Sequence, residues 1–176
     1  LYPENENNDF SELDKTRPDS SYAQQKLIAE KEIENFANEN NIELSILRVS
    51  SAYGFDNRFS DQGVINKWLY DALKYGEIKL FNSKNSLINF ISFDQISEAI
   101  AYSIIKRLAG TYNVASQKSI SLEQIILEIQ RLTKKNLRLN KVNDKKRTIN
   151  INTQKFYEAT GLIFENKVIN NIESIY

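Results

Sequence analysis

Apolar positions in the first quarter of the chain recur at helical spacing. After a polar, turn-rich opening with Pro3 and Pro18, Ser21 and Gln24 stand as a capping box. Ala29, Ile33, Phe36 and Ala37 then follow three and four residues apart, up to the stop NENN at 38–41. The pattern predicts a helix with its apolar side on a core. IELSILRVS (42–50) is a short β-branched run, long enough for a buried strand and too short for a helix. A helix feeding a buried strand is the rhythm of a parallel α/β sheet.

The same reading extends down the chain. SAYGFDNRFSDQG (51–63) is a loop, and VINKWLYDALKYG (64–76) a helix with Ile65, Trp68, Leu69, Ala72 and Leu73 on one face and Gly76 at its end. EIKLF and INFISF are short extended pieces. Asp94 is placed to cap a helix whose apolar side is Ile96, Ala99, Ile100 and Ile104. GTYNVA (110–115) reads as a strand, and Ser121 with Gln124 caps a helix striped by Leu122, Ile125, Ile126, Ile129 and Leu132. LRLNKV is extended, and the tail from Thr153 is a short helix, a turn at Gly161 and a last helical stretch.

Composition narrows the chemistry. Histidine and cysteine are both absent, which excludes His-based triads, thiol nucleophiles, zinc sites and disulfides, so no metal site is expected. Positive and negative side chains balance at 23 each, so nothing overall points to nucleic acid or an anionic membrane. The basic cluster Lys134, Lys135, Arg138, Lys141, Lys145, Lys146 and Arg147 lacks interleaved aromatics and reads as a solvated segment. No apolar run nears the roughly 20 residues that span a bilayer, and a cytoplasmic protein is the default expectation. Methionine is absent even at position 1, and LYPENENNDF reads like the middle of a longer protein. A single fragment, 1–176, is therefore expected.

Four tyrosines stand four residues ahead of a lysine: Tyr22/Lys26, Tyr70/Lys74, Tyr75/Lys79 and Tyr102/Lys106. Chance alone supplies about one such match in a chain this rich in both residues. Tyr75 and Lys79 straddle Gly76 and do not share a helical face. Tyr70/Lys74 and Tyr102/Lys106 lie near helix ends, where this spacing sets two long side chains side by side in water. Tyr22/Lys26 differs in its surroundings. It opens a helix reached through Pro18, and about twenty residues on comes a strand ending in LRVSSAYG. A strand whose carboxyl end opens into a loop is where α/β sheets build ligand crevices.

At these residues the chain resembles the extended short-chain dehydrogenases/reductases, in their NAD-dependent epimerase/dehydratase branch. RPDSSYAQQKLIAEKEI matches the active-site helix, LSILRVSSAYG the strand and loop after it, INFISFDQISEAI a later strand-to-helix junction, and GTYNVASQKSISLEQIILEI the strand and helix beyond. LYPENENNDFSE looks like the loop ahead of the active-site helix, with Pro3 where glycine is usual. The resemblance implies the C-terminal part of a Rossmann-type parallel sheet plus a small mixed α/β substrate-binding cap. The sheet elements fall at about 1–55 and 88–115, and the cap at about 56–87 and 116–176.

The resemblance also assigns roles. Tyr22 is the acid/base that exchanges a proton with a substrate hydroxyl or carbonyl while hydride passes to or from the nicotinamide of NAD or NADP. A free phenol, with a pKa of about 10, is too weak a base at neutral pH. A neighbouring ammonium and an oxidised nicotinamide favour the phenolate, which is the part given to Lys26 along with a grip on the ribose. Val49 and Ser50 fall beside the cofactor, and Ser51, Gln62, Gly63 and Val64 on the substrate. Ser51 stands where asparagine is common. Ile88 stands where nucleotide-sugar enzymes carry a diphosphate-gripping arginine, with Arg58 or Lys84 as possible substitutes. No GxGxxG or GxxGxxG loop occurs, so the dinucleotide loop and the assisting Ser/Thr are expected upstream of Leu1, and this chain alone is expected to be inactive. The implied substrate is a nucleotide sugar, the implied assembly a homodimer. Two other readings stay open on Ile88 and Ser51: a non-catalytic dinucleotide-fold scaffold, and a family reductase acting on a non-sugar carbonyl. An incomplete sheet implies an unpaired edge and an uncovered apolar face.

Overall fold

The structure, a computed structural model, describes residues 9–16, 18, 20–54 and 63–175. Its strands are β1 Asp9–Phe10, β2 Ser45–Val49, β3 Ser51–Tyr53, β4 Glu77–Leu80, β5 Leu87–Ile88, β6 Phe90–Ser92, β7 Gly110–Val114, β8 Ile120–Ser121, β9 Arg138–Lys141 and β10 Asn150–Ile151. Its helices are α1 Ser21–Glu39, α2 Val64–Tyr75, α3 Phe93–Ile105, α4 Leu122–Thr133, α5 Gln154–Thr160 and α6 Val168–Ile175. β2 pairs with β7, β3 with β6, β4 with β9 and β1 with β10, all parallel, while β5 and β8 run antiparallel. The parallel α/β expectation holds. No helix among the described residues is long and apolar enough to cross a membrane.

The larger core is built by three amphipathic helices whose stripes match the sequence periodicity. Ile65, Leu69 and Ala72 of α2 meet Ile125, Ile126 and Ile129 of α4 and Val168, Ile172 and Ile175 of α6, over Ile78 and Leu80 of β4. Trp68 fills the edge of this core and donates its indole N–H to the Lys79 carbonyl at 3.0 Å, tying α2 to β4. Lys135 donates to the carbonyls of Ala72 and Leu73, satisfying the end of α2 with a cation where the helix dipole favours one. A second cluster, Ile91, Ala99, Tyr112, Val114, Phe156 and Phe164, packs α3 and α5 against the β2–β7 pair. From the opposite face, buried Asn113 of β7 donates to the carbonyls of Phe10 and Asn152, and Glu12 accepts from its backbone N–H at 2.7 Å.

Three local expectations are corrected. Ser20, not Ser21, caps α1, accepting from the Ala23 N–H at 3.2 Å. Ser92, not Asp94, caps α3 through a capping box with Gln95, and Asp94 sits in the first turn. Ser51–Tyr53 is a strand, because its backbone runs on into the pairing with β6, so the loop is shorter than its glycines imply.

The fourth correction concerns burial. α1 forms as the spacing predicts, yet of its apolar residues only Ala23 and Ala37 are buried, while Ile28, Ile33 and Phe36 are more than half exposed. Ile100 and Ile104, on the apolar side of α3, are exposed as well. β2 is half-buried rather than buried, with Val49 exposed, because among the described residues it has a strand on one side only. A helical period shows that a face exists. It does not supply what covers it.

Candidate active site

Tyr22 and Lys26 lie in the first turns of α1, and the helix stacks them as the spacing requires: the Lys26 ammonium is 5.6 Å from the centre of the Tyr22 ring. Tyr22 is 69% exposed and Lys26 is exposed too, so both tips are accessible. One turn further, Glu30 takes Arg48 of β2 in a two-pronged ion pair, with Arg48 Nε donating to Oε2 at 3.1 Å and Nη2 to Oε1. The side chains of this pair are 12% and 8% exposed.

That ion pair sets the two groups of candidates against each other. Residues 40–44 turn the chain back at once, with the Ile42 N–H bonded to the Ala37 carbonyl at 2.9 Å, so α1 runs antiparallel to β2. Lys26 lies about 6 Å beyond Glu30 at the helical rise, and Tyr22 about 12 Å. At about 3.3 Å per strand residue, two steps beyond Arg48 is Ser50, and three to four steps is Ser51 and Ala52. Projected along the two axes, Lys26 thus falls near the level of Ser50, just past the end of β2, and Tyr22 near that of Ser51 and Ala52. Ser50 donates its backbone N–H to the Val114 carbonyl at 3.0 Å, while its buried hydroxyl has no hydrogen-bond partner. An orphaned hydroxyl costs stability unless a ligand satisfies it.

The substrate candidates divide. Gln62 and Arg58 lie outside the described residues. Gly63 opens α2 at φ 81°, and a side chain there would meet the Ala52 carbonyl at 3.1 Å, so α2 starts hard against β3. Val64, the first helical residue, is exposed, as is Ser51. Gly54 lets the chain pass Phe93, whose ring a β-carbon would strike at 2.8 Å. Asn66, which the pattern of the chain did not single out, locks this corner by donating Nδ2 to the Gly54 carbonyl at 2.8 Å. A lone amide beside Ile65 on an otherwise apolar stripe was the available signal.

Two more buried polar groups shape the floor. Asn89 uses its side-chain amide as a peptide bond would. It donates to the Ser116 carbonyl at 2.7 Å and accepts from the Ser116 N–H at 3.1 Å, while its own carbonyl accepts from Ser51 N–H at 3.3 Å. It thereby ties the end of β7 to the strands leading into the site. Tyr53 is 1% exposed and its hydroxyl meets no partner in hydrogen-bond geometry. Burial pushes its phenol up to about 12, with the nearby Asn171 side chain offsetting part of that.

The remaining positions behave as ordinary structure. Ile88 is buried in the larger core and pairs with Ile120. Lys84 is engaged by Glu123 at 2.6 Å. Lys74 donates to the Tyr70 hydroxyl at 2.7 Å, and that contact, followed by Tyr75, raises its pKa. Tyr75 ends α2 while Lys79 is on β4, and Lys106 caps the end of α3. In the basic cluster Lys135, Arg138 and Lys141 are taken up by the chain itself.

The model of the NAD dependent epimerase/dehydratase family matches residues 1–115. No curated protein matches the chain significantly. Among solved structures it is similar to UDP-N-acetylglucosamine 4-epimerase from Methanobrevibacter ruminantium M1 in complex with UDP-N-acetylmuramic acid, at 20% identity and a TM-score of 0.82, over 99% of this chain and 58% of that one. UDP-glucuronic acid 4-epimerase from Bacillus cereus in complex with NAD follows at 17% identity and 0.82, over 94% and 54%. RMD from Pseudomonas aeruginosa complexed with NADPH matches at 18% and 0.79, over 95% and 58%. The chain spans a little over half the length of these structures, and at such identities what it shares with them is the Rossmann-like fold. By the family match over its first 115 residues, the chain belongs to the NAD dependent epimerase/dehydratase family.

Proposed function

We propose that this chain supplies the acid/base pair and the substrate-side cap of an NAD(P)-dependent oxidoreductase of the nucleotide-sugar epimerase/dehydratase kind. The observation that carries the reading is the Tyr22–Lys26 stack, with both tips exposed, on a helix that the Glu30–Arg48 pair ties to the strand running into Ser50 and its orphaned hydroxyl. The exposed Lys26 ammonium and the unpartnered Ser50 hydroxyl suit a polar cofactor: Lys26 would hold a ribose hydroxyl, and Val49 and Ser50 would lie on the nicotinamide side. When bound, the nicotinamide supplies the hydride acceptor. Tyr22 would take the proton of the sugar hydroxyl whose carbon is oxidised, and return it when a carbonyl is reduced. Lys26 sets its ammonium beside the Tyr22 ring, and among the described residues no carboxylate pairs with it. Ser51, Gly63 and Val64 would contact the sugar.

Tyr22→Phe in the complete gene product, assayed with UDP-glucose, UDP-glucuronic acid and UDP-N-acetylglucosamine, is expected to lose about 10²–10⁴-fold in turnover. Turnover equal to the wild type would remove Tyr22 as the acid/base. The 176-residue chain by itself, lacking a glycine-rich phosphate loop, is expected to bind NAD weakly or not at all. Micromolar binding by calorimetry contradicts that.

Ile88 favours a second reading. A buried isoleucine makes no charge-assisted contact to a diphosphate, so a substrate without one, such as a small ketone, fits this position as well. Faster reduction of simple carbonyls than of any UDP-sugar would select it.

A further inference from the structure

The ion pair between α1 and β2 does more than hold two elements together. Tyr22, Lys26 and Glu30 follow one another at intervals of four along α1, so the glutamate is the next rung of the same ladder. A free glutamate at that spacing is within reach of Lys26. Here both its carboxylate oxygens are turned to Arg48 instead. The apolar grip on α1 is thin, with only Ala23 and Ala37 buried, so little else fixes the helix's rotation about its axis.

We propose that the Glu30–Arg48 pair is the positioning device of the site. It fixes the rotation of α1, and it keeps the Glu30 carboxylate off the Lys26 ammonium. The proposal rests on the reading of Tyr22 and Lys26 given above. A turn of about 20° in a helix of side-chain radius about 6 Å moves the tips by about 2 Å. Misplacements of about 1 Å can cost about a hundredfold in rate. Losing Arg48 does two kinds of harm, because the helix is freed and Glu30 is released to neutralise Lys26. Losing Glu30 does only the first. The two substitutions are therefore unequal, and the second relieves the first.

The test uses the complete gene product with NAD and the three UDP-sugars as probes. Arg48→Gln is expected to lower kcat about a hundredfold and Glu30→Gln about tenfold, with KM within about threefold of wild type in both. The double variant is expected to recover to the Glu30→Gln level, about tenfold above Arg48→Gln alone. A double variant as slow as Arg48→Gln, or slower, overturns the proposal. Singles with wild-type kcat overturn it too. Should Arg48→Gln fail to fold, Arg48→Lys, which keeps one contact, carries the same test: adding Glu30→Gln relieves its loss or the proposal is wrong. Tyr22→Phe in parallel separates the two claims. If Tyr22→Phe is inactive while both ion-pair variants match wild type, only the positioning role falls. If Tyr22→Phe turns over normally, the acid/base reading falls and takes this one with it.

Discussion

The two ends of the molecule are packed by different rules. Around α2, α4 and α6 every apolar stripe meets another, and Ile65, Leu69, Ile125, Ile129 and Ile172 are sealed from water. Around α1, β2 and α3 burial is one-sided: Ala99 of α3 is sealed in the second cluster, while Ile33 and Phe36 of α1 and Ile104 and Ile105 of α3 are exposed and, among the described residues, β2 is paired on one side only. Besides the buried Ala23 and Ala37, α1 is tied there by the Glu30–Arg48 pair. The candidate acid/base lies in the thinly packed region. The more completely sealed core thus lies away from the proposed site.

That contrast can be broken or sharpened by substitution. Ile125→Ala, in the sealed core, is expected to cost about 2–5 kcal/mol, read from the shift in a urea unfolding midpoint. A cost under 1 kcal/mol would show this core to be looser than described. Asn89→Ala strands the Ser116 N–H and carbonyl where β7 meets the site, at a cost of about 1–3 kcal/mol; a neutral result in the same assay counts against the clasp.

Tyr53 adds a pH signature. Its phenol is raised in the folded chain from the ordinary 10.0 to about 12, so the folded state holds its proton where the unfolded chain has released it. Stability is therefore intact below pH 10 and falls as pH rises toward 12, by about 1 kcal/mol at pH 11. Tyr53→Phe is expected to remove that part of the alkaline loss, visible as a flatter stability profile from pH 9 to 11; an unchanged profile rejects the shift. The smallest effect belongs to the exposed face. Phe36→Ala is expected to change stability by no more than about 0.5 kcal/mol, because little surface there is removed from water on folding. A loss comparable to that of Ile125→Ala would mean that α1 is covered in solution.

Local elements were legible because their causes are local. The capping box at Ser121 and Gln124, the stripe Leu122 to Ile129 and the αL residue Gly76 at the end of α2 all sit where spacing puts them. The Tyr22/Lys26 stack was legible too, since a helix brings residues four apart together whatever surrounds it. The caps of α1 and α3 were misplaced because several short polar residues compete at each start, and at α3 the pairing of β6 with β3 sets where the strand gives way to the helix. The locks at Asn66, Asn89 and Asn113 were not legible. Each joins segments far apart in sequence, and one asparagine looks like another until its partners are in place.

By itself, then, the sequence determined the helices, the parallel α/β class and the pair of side chains that α1 presents, because these depend on periods of a few residues. Only the tertiary structure decided which stripes are buried, that Glu30 turns to Arg48 rather than toward Lys26, and that Ser50 keeps an unpartnered hydroxyl at the end of β2. Those outcomes turn on which distant segments meet, and no local pattern encodes that.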